Sequence, residues 1–386
     1  AGTTTRLAFG KDGMLYYHPG SSYLPIYKIN LVAGTSAIYA GGGMGYDSDS
    51  NPLNILVQAT SPLDIDEDNT LYFYADCNPS APSTSRNPAR LMKVTQNSDG
   101  SAGPAVAVAG SCSYGSISAS GTLASSVVFG PTNSTTDKYF GQGSIVAVNH
   151  GQTIYLSNIS NLPLKIVNDG TQTRLYRATS GVAPHGLSYN SVDGFIYGAS
   201  VAAGVFKYTP TTAAADGGET YTTVVAPDGT GNNCLDDGIS STQSCVVSDV
   251  SPAFDSSGTV YFADGMTVNT ANGYRVRYLD SSNNVHTAFG SLPFFGNGLQ
   301  KELIRGQIYG IYYKNSSSSP ANATAFPNGL YFSSPSMVFG YIDPSTGIYS
   351  TIWGNQYNGT VALTTLAGTA ASSSGPAACR RALRGA

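Results

Sequence analysis

The chain has 386 residues, a net charge of −4 and only 11% charged residues. That length can bury a large core, as one big all-β domain or two ordinary ones. Nineteen Lys and Arg spread over the whole chain make no concentrated basic surface, which argues against nucleic-acid binding, and no apolar run approaches the roughly 18 residues that a transmembrane helix needs.

Gly (45 residues), Ser, Thr and Tyr (26 residues) dominate, while Lys and Glu are scarce. Tyr, Val, Thr and Ile suit strands, and Gly with Asn or Asp suits the turns between them. No amphipathic helical stretch stands out. The chain opens at Ala1 within strand-like sequence and carries no apolar leader, so we expect a mature or excised piece of an exported protein.

A unit of two strands joined by an Asp-, Asn- or Gly-rich turn recurs along the chain. Its cores are LAFGKDGMLYY (7–17), PLDIDEDNTLYFYAD (62–76), SIVAVNHGQTIYLSN (144–158), HGLSYNSVDGFIYGAS (185–200) and PAFDSSGTVYFAD (252–264). A sixth is split into QIYGIYYKN (307–315) and NGLYFSS (328–334) by the insertion SSSSPANATAFP. A third strand follows each core, and five of the six carry a basic residue at one place: Lys28, Lys93, Lys165, Lys207 and Arg277, with Gly340 in the sixth. Alternation sets the apolar positions on one face and the basic one on the other, as for half-buried strands. A short fourth strand is expected at 30–34, 105–110, 173–179, 222–227, 286–291 and 350–355.

Four-stranded sheets that recur in this way bury both faces by packing around an axis. The fold class is therefore all-β, a β-propeller of about six four-stranded blades with long inter-blade insertions such as 35–60. Residues 1–362 are assigned to the propeller. Residues 363–386 resemble an inter-blade linker, which either closes the ring onto residue 1 or contacts a neighbouring module.

Five cysteines are present. Cys234 and Cys245 bracket a short loop and are the first disulfide candidates. Cys77 and Cys112 both follow strands and form a second candidate pair, which leaves Cys379 unpaired, as a free thiol or an intermolecular link. No C-x-x-C occurs and the four His are scattered, which argues against structural zinc.

Asp47, Asp49 and Asn51 have the D-x-D-x-N spacing of a calcium loop, but Pro52 stands where glycine is wanted and no Glu lies twelve along. A solvated linker is the favoured reading, calcium the alternative, and no other cofactor is expected. Asp64, Asp66 and Asp68 crowd one turn. Asp66 matches Asp255 in a later copy, and both are read as turn caps that bond backbone N–H groups. His18, His150, His185 and His286 fall in four different units, and His185 is the best placed to face a central channel. Sequons at Asn133, Asn158, Asn315, Asn322 and Asn358 fit surface loops and glycosylation, at the number expected by chance.

The phrase VAGT, a Gly/Asp-rich loop, Pro-x-x-Ile-x-Asp, a turn, Leu-Tyr-x-x-Asp and a basic-apolar strand (31–76, 89–94) resembles the NHL-repeat propeller. The stretch from Cys234 to Gly290 resembles the propeller of teneurins and of bacterial Rhs/YD-repeat surface proteins. The third and fourth units lack the Leu-Tyr-x-x-Asp aspartate, and no YD-repeat shell is visible. The resemblance implies a propeller and leaves function open. The favoured reading is a secreted or cell-surface binding or structural module, for adhesion or self-assembly. Its partner would be a protein, a glycan or copies of itself. The alternative is a lyase- or lactonase-type enzyme with a metal in the channel.

Overall fold

The computed structural model describes residues 6–19, 24–30, 33–43, 50–58, 61–77, 89–113, 118–129, 143–158, 161–178, 182, 184, 186–200, 203–211, 215–216, 219–226, 238–241, 250–268, 271–289, 310–314, 329–333, 339–342 and 349–353. The strands fall into six antiparallel sheets that follow the repeats. The first holds β1 (Arg6–Phe9), β2 (Leu15–His18), β3 (Ile26–Asn30) and β4 (Thr35–Ala40), and the second β5 (Asp64–Ile65), β6 (Leu71–Asp76), β7 (Ala89–Gln96) and β8 (Ala102–Ala109). The third holds β9 (Ile145–Val148), β10 (Thr153–Asn158), β11 (Asn161–Asn168) and β12 (Thr173–Arg177), and the fourth β13 (Gly186–Asn190), β14 (Phe195–Ser200), β15 (Gly204–Tyr208) and β16 (Tyr221–Val225). The fifth contains β17 (Ile239–Ser240), β18 (Ala253–Phe254), β19 (Val260–Val268), β20 (Ala271–Leu279) and β21 (Asn284–Phe289). The sixth contains β22 (Gly310–Lys314), β23 (Gly329–Ser333), β24 (Phe339–Ile342) and β25 (Tyr349–Trp353). Five sheets, rather than about six, have the expected four-stranded form. The remaining one gains β17, which pairs outside β21.

The first strands of the sheets, β1, β5, β9, β13, β18 and β22, pack against one another in that order, and β22 returns to β1. Each seam between adjacent sheets holds its own apolar cluster. The sixth sheet meets the first through Tyr331, Phe9, Leu15 and Tyr17, and Phe9 stacks on Tyr312 with ring centroids 4.5 Å apart. The architecture is a β-propeller, and its ring closes by direct packing of β22 on β1. Residues 363–386 lie outside the described residues.

Two expectations need correction. The fourth strand of the first sheet is Thr35–Ala40, not 30–34. The Asn30 side chain accepts from the Ala33 N–H, and Gly34 takes a left-handed φ of 64°. The chain therefore turns there, and the next six residues pair with β3. The basic residues of the third strands also do not simply face solvent. Lys165 and Arg277 are sealed from it, because both faces of a blade are covered by its neighbours. Lys165 Nζ lies 2.6 Å from Glu219, Lys28 Nζ 2.9 Å from Asp12, Arg277 Nη1 3.3 Å from Asp264 and Lys207 Nζ 3.9 Å from Asp193.

The register is consistent from sheet to sheet. Tyr16, Tyr72, Tyr155, Tyr197, Tyr261 and Tyr331 occupy equivalent places on the second strands, and all are buried. Lys28, Lys93, Lys165 and Lys207 stand opposite the first four of them. In the fifth sheet the basic position slips by one, so that Arg277 faces Phe262.

Candidate channel site

The inner strands enclose a cavity of about 580 Å³ that all six sheets line, a size typical of small-molecule sites. Its walls can be read row by row. Opposite the six tyrosines stand Ala8, Asp64, Val146, Ser188, Ala253 and Tyr312. One row along come Phe9, Ile65, Ala147, Tyr189, Phe254 and Tyr313. The two rows are thus mostly apolar or aromatic, and Asp64, in the first of them, is their single carboxyl.

Asp64 sits on the two-residue strand β5. Its Oδ2 accepts the backbone N–H of Ala147 on β9 at 2.7 Å, which ties the second sheet to the third. Desolvation pushes its pKa up to about 7, and the neighbouring charges of Asp66 and Glu67 act in the same direction, against the lowering effect of the N–H donors of Ala147 and Ile65. A carboxyl at that pKa is poised to exchange a proton near neutral pH. Tyr312, across the same row, holds its phenol proton more tightly than usual, through burial and then through the Asp64 charge.

The start of the channel carries small polar groups. Ser144 Oγ and Ser251 Oγ are 2.9 Å apart and bridge the third and fifth sheets. Gly186 begins β13 beside Ser251, where a Cβ would collide with the Ser251 backbone nitrogen. At the turn end lie Lys11, Asp66, Glu67, Asn190 and Asp255. Most of these are committed to structure. Asp66 Oδ1 accepts the N–H groups of Asp68 and Thr70, each at 2.9 Å, and its Oδ2 accepts the Tyr72 hydroxyl at 2.9 Å. Asp255 Oδ1 takes the Ser257 and Thr259 N–H groups in the same way. The turn-cap reading of both residues is correct, since these oxygens satisfy turn N–H groups. Asn190 accepts from the Val192 N–H and donates to Gly258 O in the next sheet.

The other candidates do not converge on the channel. Asn51 caps a short 3-10 turn (Pro52–Asn54) by accepting the Leu53 N–H, and Asp47 and Asp49 lie outside the described residues. His18 is buried on β2. His150 pairs with Asp68 and His286 with Asp280, each at 2.9 Å. The Asp68 hydrogen bond and charge raise the His150 pKa. His185 lies outside the described residues. No group of three or more His, Cys, Asp or Glu side chains placed to hold a metal is found among the described residues. Cys77 and Cys112 form a disulfide, with Cα atoms 5.5 Å apart. Cys234, Cys245, Cys379, Asn133, Asn315, Asn322 and Asn358 fall outside the described residues, and Asn158 ends β10.

Asp64 did not stand out in the sequence, because it sits among Asp66, Glu67 and Asp68. The signal is there once the repeats are aligned column by column. Its column otherwise reads Ala, Val, Ser, Ala and Tyr.

No family model and no curated protein matches the chain. Solved structures do. A protein of unknown function from Bacteroides thetaiotaomicron aligns with a TM-score of 0.52 and 12% identity, over 88% of this chain and 68% of its own. A gluconolactonase from Xanthomonas campestris aligns with a TM-score of 0.32 and 12% identity, over 72% of this chain and 86% of its own. YCF48 bound to a D1 peptide aligns with a TM-score of 0.34 and 8% identity, over 72% of this chain and 62% of its own. At these identities the likeness concerns the fold alone, and the first of these structures, with its TM-score of 0.52, carries it.

Proposed function

We propose that the chain is an exported β-propeller that acts as a binding module, with its central channel as the recognition site for a small ligand or for a group projecting from a protein or glycan. The observation that carries this reading is the channel wall. It offers aromatic and apolar side chains with a few convergent polar groups, Asp64, Ser188 and Tyr312 among them, which is the usual make-up of a binding pocket. The Cys77–Cys112 disulfide supports export, since such bonds persist in oxidising compartments.

The test is a thermal-shift screen of purified protein against peptides and oligosaccharides, with light scattering and negative-stain microscopy on the same sample. Ligand-dependent stabilisation that is lost on filling the channel with Ser188→Trp supports the reading. Full stabilisation of that variant by the same ligand would move the site off the channel.

A second reading is favoured by one feature. A carboxyl with a pKa near 7 in a cavity suits a general acid or base, as a propeller enzyme of lyase or lactonase type would need. Turnover of a lactone panel that disappears in Asp64→Asn would establish it.

A further inference from the structure

We propose that the channel binds an organic ammonium group, with the Asp64 carboxylate as its counter-ion and the rings of Phe9 and Tyr312 as its apolar surround. This inference rests on the channel being a binding site and names the chemistry of what it takes.

Three observations converge. First, the charge inside the cavity is one-sided. Asp64, Asp66, Glu67 and Asp255 line it with negative charge, and Lys11, exposed on the first turn, is its one cationic side chain among the described residues. A concave, low-dielectric wall concentrates that field and draws in cations. Second, the acids are not equivalent. Asp66 and Asp255 spend their Oδ1 atoms on turn N–H groups, and Glu67 Oε2 lies 3.3 Å from the His150 N–H. Asp64 instead stands in the wall itself, partly open to the channel, with the Ala147 N–H on its Oδ2 and the Ile65 N–H as a further donor. Two carboxylate oxygens offer about four lone-pair sites, so capacity remains. Third, its surroundings are aromatic. Tyr312 shares the row of Asp64 and stacks at 4.5 Å on Phe9, which belongs to the next row with Tyr189, Phe254 and Tyr313. Aromatic faces attract ammonium groups, most strongly where water is displaced.

The alternatives fit less well. A bare divalent cation wants six or more oxygen ligands for calcium, or a near-octahedral set for magnesium, and the described residues bring no three acidic or imidazole groups together for that purpose. A neutral sugar would use the aromatic wall and the hydroxyls but would leave the channel charge uncompensated. An ammonium group answers both the charge and the rings.

The chemistry also ties binding to protons. Around neutral pH part of the Asp64 population is protonated, and a bound ammonium favours the ionised form. The groups facing Asp64 are Asp66 and Glu67 from its own segment, Tyr72 opposite it on β6 and Tyr312 from β22, with Lys11 at the turn end of the same cavity. Binding should therefore tighten between about pH 6 and 8 and release a fraction of a proton at pH 7.

The experiment is calorimetric titration of the whole chain with choline and with 3,3-dimethylbutan-1-ol, which has nearly the same shape without the charge. Runs in two buffers of different ionisation enthalpy count the protons released. The expected result is binding of choline at least about tenfold tighter than of the alcohol, with proton release at pH 7. Asp64→Asn should reduce that preference to about twofold or less and abolish the proton release. Tyr312→Leu, which keeps the carboxyl, should weaken choline several-fold while proton release persists. Equal binding of both probes, or binding of neither, overturns the inference. So does an unchanged preference in Asp64→Asn, or displacement of choline by stoichiometric calcium. A channel that stabilises with oligosaccharides but shows no preference for charge would sink the ammonium inference and leave the binding-module reading standing. Failure of every channel ligand would sink both.

Discussion

Lys165 on β11 and Glu219 just before β16 meet at 2.6 Å across the seam between the third and fourth sheets, both shut off from solvent. Tyr155 faces Lys165 across the strand pair, and its hydroxyl donates at 2.9 Å to O of Thr211, in the connection that follows β15. A buried pair of this kind is costly to break on one side, because the remaining charge has nowhere to go. Lys165→Met should cost about 3–5 kcal/mol, read as a lower denaturation midpoint. Lys165→Met combined with Glu219→Leu should recover most of that loss. A double variant no better than the single one would show that the pair is not the source of the effect.

Asp66 and Asp255 cap their hairpins in the same way but differ in burial. Asp66 is buried and takes two backbone N–H groups and the Tyr72 hydroxyl, while Asp255 is part-exposed. Asp66→Ala leaves these donors without their acceptor and should cost about 2–3 kcal/mol. Asp255→Ala should cost nearer 1 kcal/mol, since water can replace the lost oxygens. Urea titrations of the two variants make the comparison, and equal costs would refute the role assigned to burial.

The Cys77–Cys112 bond links the ends of β6 and β8 and spans 35 residues. Closing a loop of that size restricts the unfolded chain, and its loss should cost about 2–4 kcal/mol. Cys77→Ser, or reductant added to the unmodified protein, should therefore lower the melting temperature. A melting temperature unmoved by reductant, with the thiols shown to be free by alkylation, would contradict this.

Asp64 gives stability a pH dependence of definite sign. Its pKa is about 7 when folded against an ordinary 3.8. Between those values the folded chain holds a proton that the unfolded chain has released, so this contribution is full below about pH 4 and is lost as pH rises through 7. Asp64→Asn keeps an oxygen for the Ala147 N–H and removes the charge. It should raise the melting temperature at pH 8 by about 2–4 °C, change it little at pH 4, and flatten the pH profile between. A rise of equal size at both pH values would mean that the gain does not come from the proton.

His150 and Asp68 form an exposed pair, and the pKa of His150 is raised by that contact. Exposed pairs contribute little. His150→Gln should leave the melting temperature within about 1 °C at pH 7, and a larger loss would assign the turn a structural role that the pair does not explain.

The propeller was legible because its repeats obey local rules. Strand alternation, Asp-centred turns and a recurring Tyr are properties of ten to fifteen consecutive residues, and the same local chemistry folds the same hairpin each time. The turn roles of Asp66 and Asp255, the split sixth sheet and the Cys77–Cys112 candidate pair could be read in that way. The fourth strand of the first sheet was misplaced because Val32, Ala33 and Gly34 look like strand, while the turn depends on the Asn30 side chain and on the left-handed φ of Gly34. The fate of Lys165 and Arg277 could not be read at all. Strand alternation says which face a side chain takes, but not whether another sheet covers that face. Their burial comes from neighbours about fifty residues away or across the strand pair. Asp64 makes the same point most sharply. Among four nearby acids it looks ordinary, and its raised pKa and its place in the channel wall arise only when six separate strands are brought around one axis and displace part of the water that would otherwise solvate it.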